Sequence, residues 1–244
     1  MTSSQLSPLR YLTFEISDTC ALAKLHPRCP VSDAGRYRYG RQDGSITDDF
    51  VMEFWRWARS HGFHGTLLWH MYNEPFPHRA RIDALLKMMR AEEPTQQSHL
   101  WTSVQSATER KSEAGVDHVV WTDYSVVAPD QLDNRRASVV GEGDYAGAPR
   151  ASTCGRSRDF ELIIDNRGNW LRCCNDWRCE DSLGNALHDR DWEGLLRAYM
   201  RLKVITWSDR GTFEDLPRQC RACVTYNPML HRTALPPPGK AGWS

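Results

Sequence analysis

Strand-like and helix-like stretches alternate through the first 140 or so residues, and this alternation restricts the fold more than any other feature of the chain. Tyr11 to Ile16 sets Leu12, Phe14 and Ile16 against Thr13 and Glu15, the period of a strand. Thr47 reads as an N-cap with Asp48 and Asp49 in the first turn, and Phe50, Val51, Phe54, Trp55 and Ala58 then recur at helical spacing up to Gly62. Gly65 to Tyr72 reads as a second strand ending in Asn73, Glu74 and Pro75. Arg79 to Glu92 is an amphipathic helix carrying Ile82, Leu85, Leu86 and Met89, stopped by Pro94. His99 to Val104 and Val116 to Trp121 are the third and fourth strands, and Ser138 to Val140 is a candidate fifth before Gly141 and Gly143. Strands separated by helices argue for a parallel sheet built from right-handed crossovers. The span before residue 150 is too short for an eight-unit barrel.

After Ala151 the pattern changes. Glu161 to Ile164 and Asn169 to Arg172 flank Asn166-Arg167-Gly168, a hairpin signal, and Asp191 to Val204 follows as a helix. The expected organisation is an α/β partial (β/α) barrel over 10–150, a small α+β hairpin-and-helix domain over 151–230, and a flexible Pro/Gly tail over 231–244. A chain of 244 residues with 40% apolar and 25% charged content sustains one sizeable core and a small appendage. Its formal net charge is zero and it has no long basic run, so the electrostatic footprint of a nucleic-acid binder is missing. No apolar run approaches the roughly 18 residues of a membrane span, and Met1 to Pro8 is polar. A cytoplasmic protein with neither nucleic acid nor membrane as partner is expected.

Eight cysteines in such a chain read as metal ligands rather than a disulfide framework, because the cytoplasm keeps thiols reduced and the core needs no staples. Cys20 and Cys29 follow the first strand; Cys154, Cys173, Cys174, Cys220 and Cys223 lie in the second half, while Cys179 reads equally as an ordinary buried thiol. Cys154, Cys173, Cys220 and Cys223 make a four-thiolate set from a hairpin and a Cys-x2-Cys turn. Cys174 is an alternative to Cys173, since adjacent strand residues point to opposite faces. Four thiolates suit either an iron-sulfur cluster or zinc. A cluster that activates a ligand leaves one iron without a side chain, so fewer protein ligands are expected at the first group.

Together these residues resemble a radical SAM enzyme with a C-terminal SPASM or twitch domain. The match spans residues 10 to 225: Cys154, Gly168-x4-Cys173, Leu183-Gly184-Asn185, a helix, then Pro217 and Cys220-x2-Cys223 follow the twitch pattern. The short length is similar to the small dehydrogenases of aminocyclitol biosynthesis, which join a trimmed barrel to one auxiliary cluster. Tyr72-Asn73-Glu74-Pro75 is similar to the family's Gly-Glu-Pro step, whose segment binds the amino group of S-adenosylmethionine. The resemblance therefore implies a cofactor set of one or two 4Fe-4S clusters and S-adenosylmethionine, with Asn73, Glu74 and Pro75 at the latter. It implies reductive cleavage of S-adenosylmethionine and hydrogen abstraction from a small metabolite or a peptide. Net oxidation would use the auxiliary cluster, with a flavodoxin or ferredoxin as reducing partner. The chain departs from the family at the first motif, usually Cys-x3-Cys-x2-Cys: counting from Cys20, those positions hold Lys24 and Pro27. Cys20-x5-His26-x2-Cys29 is the spacing present. It makes His26 either a replacement for the middle thiolate or a loop histidine with no metal bond. The alternative implied by the missing cysteine is a degenerate, non-catalytic relative that keeps iron-sulfur or zinc and acts as a partner subunit.

Other residues carry weaker signals. Glu74 reads either as a ligand-binding carboxylate at the C-terminal end of a parallel strand or as a cap for the helix after it. Asp123, Tyr124 and Glu142 would face the same rim. Arg135 and Arg136 read as solvated surface or an anion site. The tryptophans, among them Trp55, Trp57, Trp69, Trp101 and Trp121, are expected mostly in the core. His61, His64, His70 and His78 share neither a helix face nor a strand face.

Overall fold

The computed structural model describes residues 9–17, 45–71, 73–104, 116–123, 161–173 and 182–207. Its elements are β1 (Tyr11–Phe14), α1 (Asp48–Ser60), β2 (Thr66–Leu68), α2 (Arg79–Glu92), β3 (Ser98–Val104), β4 (His118–Asp123), β5 (Glu161–Ile164), β6 (Trp170–Leu171) and α3 (Trp192–Trp207). One six-stranded sheet runs β4-β3-β2-β1-β5-β6. The pairs β1–β2, β2–β3, β3–β4 and β1–β5 are parallel, and β5–β6 is antiparallel. The parallel sheet expected from the alternation is present, and β1 lies inside it, flanked by β2 and β5.

Alternation along the strands sorts the side chains onto two faces. Leu12, Phe14 and Ile16 share a core with Leu67, Trp69, Leu100, Leu162, Ile164 and the apolar stripes of α1, α2 and α3. The Thr47 hydroxyl caps α1 by accepting from the Phe50 N–H at 3.2 Å, as the sequence predicts. Bulky rings fill the space between α1, α3 and the β5–β6 hairpin: Phe54 lies 5.6 Å from Trp170 and 4.9 Å from Trp192, centroid to centroid. The Tyr199 hydroxyl donates to the Glu161 carbonyl at 2.5 Å, and the Trp192 indole donates to that of Ala186 at 2.6 Å, so the polar ends of Tyr199 and Trp192 are satisfied as well.

The hairpin forms where expected. Asp165 is buried, and its carboxylate accepts from the N–H groups of Arg167 (2.9 Å) and Asn169 (2.8 Å) and from the Asn169 amide (2.8 Å). Gly168 takes φ 84°, a conformation that favours glycine, and a Cβ there would meet the Leu187 Cβ at 2.5 Å. Trp170 exchanges backbone bonds with the segment holding Leu183 and Gly184, both at 2.9 Å. The Asn185 side chain ties that segment to the turn by donating to the Arg167 carbonyl (2.9 Å) and the Asn169 side chain (3.0 Å). The glycine before Cys173 and the Leu-Gly-Asn step thus touch one another across a single small turn.

Element boundaries moved by a few residues. β2 is shorter than Gly65 to Tyr72, ending at Leu68; just beyond it the buried Trp69 indole donates to the Ser98 hydroxyl at 2.7 Å. β4 begins at His118 rather than Val116, and α3 runs on to Trp207. The candidate strand 138–140 and the tail 231–244 lie outside the described residues. No helix among the described residues is long and apolar enough to cross a membrane.

Candidate functional site

The second face of β1 is polar and yet buried. Thr13 is 1% exposed and Glu15 0%, and Ser17 just beyond the strand is buried too. Apolar neighbours would be the cheaper choice there, since a buried carboxylate needs matched donors. The polar partners lie on β5, where Glu161 accepts, and on the segment leaving β2, where Asn73 donates. Thr13 Oγ1 donates to Glu161 Oε1 at 2.8 Å, the backbone N–H of Asn73 donates to Glu15 Oε1 at 3.2 Å, and Asn73 Nδ2 donates to Ser17 Oγ at 3.2 Å. Asn73 Oδ1 also accepts from the Met71 N–H at 3.2 Å, closing a short turn.

Glu74 faces the other way. Thr102 Oγ1, on the face of β3 that also carries Leu100, donates to Glu74 Oε1, and the Phe76 N–H donates to the same oxygen at 3.2 Å. Both readings of Glu74 therefore have a geometric basis. It caps the single 3-10 turn Phe76–His78 that Pro75 starts and α2 continues, and it is a buried carboxylate at the C-terminal edge of the parallel strands. The Asn73-Glu74 step crosses that edge, bonded on one side to β1 and on the other to β3. Ligands of parallel α/β sheets bind outside the carboxyl ends of the strands, and a buried carboxylate there suits a cationic donor.

Farther along the second face the sheet opens. Trp101, 49% exposed, stacks on His70 with centroids 5.1 Å apart and planes 8° from parallel. Trp55 and Trp69 are core residues as expected; Trp101 is not, because its side of β3 points away from the helices. His99 and His118 meet edge to face at 5.2 Å across β3 and β4. Burial, and then the neighbouring His118, hold the His99 imidazole below the usual histidine range, against the opposing pull of Asp117.

Of the residues singled out in the sequence, Asn73, Glu74 and Pro75 come together at the strand ends, all buried. Cys173 is half-buried at the end of the hairpin. Cys20, His26, Cys29, Cys154, Cys220 and Cys223 lie outside the described residues, as do Cys174, Tyr124, Glu142, Arg135 and Arg136. Among the described residues no three His, Cys, Asp or Glu side chains converge on a metal position, and His61, His64, His70 and His78 form no such group. Sequence reasoning missed Glu15, Ser17 and Thr102. The first two had a signal: the polar row Thr13, Glu15 and Ser17, running off a strand with parallel neighbours on both sides, where apolar residues are expected.

No family model and no curated protein matches the chain. Among solved structures it is similar to BtrN, a radical SAM enzyme, in complex with AdoMet and 2-DOIA. That alignment covers 87% of this chain and 92% of the other, at 16% identity and a TM-score of 0.58. The selenomethionine form of BtrN in an open conformation aligns over 81% of this chain and 85% of the other, at 15% identity and a TM-score of 0.54. The chain shares the fold of these two structures.

Proposed function

We propose that the chain is a radical SAM-type enzyme that removes hydrogen from an unactivated C–H bond of a small metabolite or peptide, with net oxidation. The observation that carries this reading is the buried Asn73-Glu74 step at the carboxyl edge of β1, β2 and β3, in a chain whose fold aligns with an enzyme crystallised with AdoMet. The Glu74 carboxylate suits the ammonium of S-adenosylmethionine, because three N–H donors need a charged acceptor held out of water. Cys20 and Cys29, with His26, would hold a first cluster, and Cys154, Cys173, Cys220 and Cys223 a second. When bound, the first cluster and S-adenosylmethionine together supply the one-electron reductive cleavage that makes an inert C–H bond reactive. The chain's own residues bind and orient. Glu74 fixes the amino-acid end of the ligand, the apolar second-face residues Leu68 and Ile163 exclude water beside β1, and the Trp101–His70 stack offers a flat surface on which a ring-shaped metabolite rests.

Lys24 and Pro27, standing where the usual motif has cysteines, favour a second reading: a non-catalytic relative that retains one metal site and serves as a partner subunit. Anaerobic reconstitution separates the two. The enzyme binds about eight irons, two four-iron clusters, and under a strong reductant releases 5'-deoxyadenosine only when S-adenosylmethionine is present. About four irons, or zinc, with no release of 5'-deoxyadenosine establishes the partner subunit instead.

A further inference from the structure

We infer that Glu15 is a positioning residue for ligand binding: with the Ser17 hydroxyl, its carboxylate sets the Asn73-Glu74 step so that Glu74 meets the ligand's ammonium group. This rests on the reading of Glu74 given above and adds to it a residue 58 positions upstream of Asn73, at the end of a different strand.

Glu15 is fully buried just past the end of the central strand β1, a place where a carboxylate costs stability unless the surroundings are arranged for it. Among the groups that meet it is the backbone N–H of Asn73, at 3.2 Å. A bond to a backbone N–H orients a peptide plane, and this peptide plane lies one residue before Glu74. Asn73 is held at two further points of its own, Nδ2 on Ser17 and Oδ1 on the Met71 N–H, and the next residue, Glu74, is held by Thr102. The direction of the Glu74 carboxylate is thus decided before any ligand arrives, and affinity for a charged group depends on such preorganisation, since acceptors already in place need not be reorganised on binding. A hydrogen-bond acceptor is what the position requires. Glu15 acts on the ligand only through the Asn73-Glu74 step.

The test compares S-adenosylhomocysteine, which carries the amino-acid moiety, with 5'-methylthioadenosine, which lacks it, by calorimetric titration of the reconstituted full chain. Wild-type protein prefers the first. Glu15→Leu lowers affinity for S-adenosylhomocysteine about tenfold, the size expected for one lost charge-assisted bond, and leaves 5'-methylthioadenosine unchanged; a general loss of structure would weaken both. Glu15→Gln keeps an acceptor oxygen and stays within about threefold of wild type. Wild-type affinity in Glu15→Leu overturns the inference, and so does an equal loss in Glu15→Gln, which places the charge itself against the ligand. If Glu15→Leu does not fold, Ser17→Ala takes its place, with a several-fold loss confined to S-adenosylhomocysteine; no loss there overturns the inference. A wild-type protein that does not discriminate between the two compounds is a different result. It removes the assignment of Glu74, and the role of Glu15 falls with it.

Discussion

Arg81 Nη1 donates to the backbone carbonyl of Ile16 at 2.9 Å, fastening α2 to the chain just beyond the end of β1. The same guanidinium donates to the Ile46 carbonyl and to Asp48 Oδ1, each at 2.6 Å. Ile46 in turn donates its N–H to the Asn166 carbonyl in the hairpin turn, at 2.7 Å. The two ends of the segment that carries Cys20, His26 and Cys29 are therefore held by one side chain. The planar fork of arginine reaches three acceptors, and lysine does not reproduce it.

Replacing Arg81 with Ala leaves two partly enclosed carbonyls without this donor. It is expected to cost about 2 kcal/mol, and Arg81→Lys to recover less than half of that. Urea unfolding of the two variants, with unchanged slope, measures both. A cost under about 0.5 kcal/mol for the alanine variant means that solvent replaces the clamp.

Gly65 lies where the chain enters β2. A Cβ there would sit 2.2 Å from the Arg10 carbonyl oxygen and 2.7 Å from the Phe63 ring. Arg10 is fixed because its carbonyl also accepts from the Thr66 N–H at 2.8 Å, the first bond between β1 and β2. Gly65→Ala must therefore part the two strands at their start, and about 3 kcal/mol of destabilisation is expected from overpacking against backbone. Thermal unfolding is the simplest measurement. An unchanged midpoint is incompatible with the strand spacing described above.

Much of this fold was legible because local and tertiary demands agree. The Thr47 cap, the stripe of α2 and the Asn166-Arg167-Gly168 turn each specify their own geometry, and each formed at or near the residues expected. Strand lengths were less legible. β2 stops at Leu68, short of the apolar run, and Trp69 just beyond it pairs with Ser98, a partner 29 residues away that periodicity does not contain. The same holds at the site. Asn73, Glu74 and Pro75 stand in one run and could be read from it, whereas Glu15 and Thr102 join them only through bonds 58 and 28 residues long in sequence. Trp101 misled for a related reason: a tryptophan in a strand is expected in the core, and only the register with β2 and β4 shows that its side of β3 faces away from the helices.

Asp165 holds the hairpin turn from within. Its buried carboxylate receives two backbone N–H groups and one side-chain amide, and Asp165→Ala leaves all three without it. A loss of about 3 kcal/mol is expected, more than for a solvent-exposed turn, because the abandoned donors are partly buried. Asp165→Asn keeps one acceptor oxygen and loses the charge, so about half of the cost should remain. Hydrogen exchange at Arg167 and Asn169 gives a local readout: both amides should lose protection in the alanine variant. Unchanged exchange there would mean that other groups hold the turn.

His99 gives the fold a pH dependence of defined sign. Burial and the adjacent His118 disfavour its protonated form, Asp117 opposes them only in part, and the folded-state pKa lies below the ordinary value of about 6.5. Above that ordinary value the imidazole is neutral in both folded and unfolded chains and contributes nothing. As pH falls through it, the unfolded chain takes up the proton first, so stability declines until pH drops below the folded-state pKa, where the penalty levels off. His99→Gln removes the titrating group while keeping a polar side chain of similar reach. Denaturant midpoints taken at pH 7.5 and 5.5 should therefore fall less in this variant than in wild type, and the two proteins should differ least at the higher pH. An equal decline in both would mean that His99 titrates alike in the folded and unfolded chain, contrary to its placement between β2 and β4.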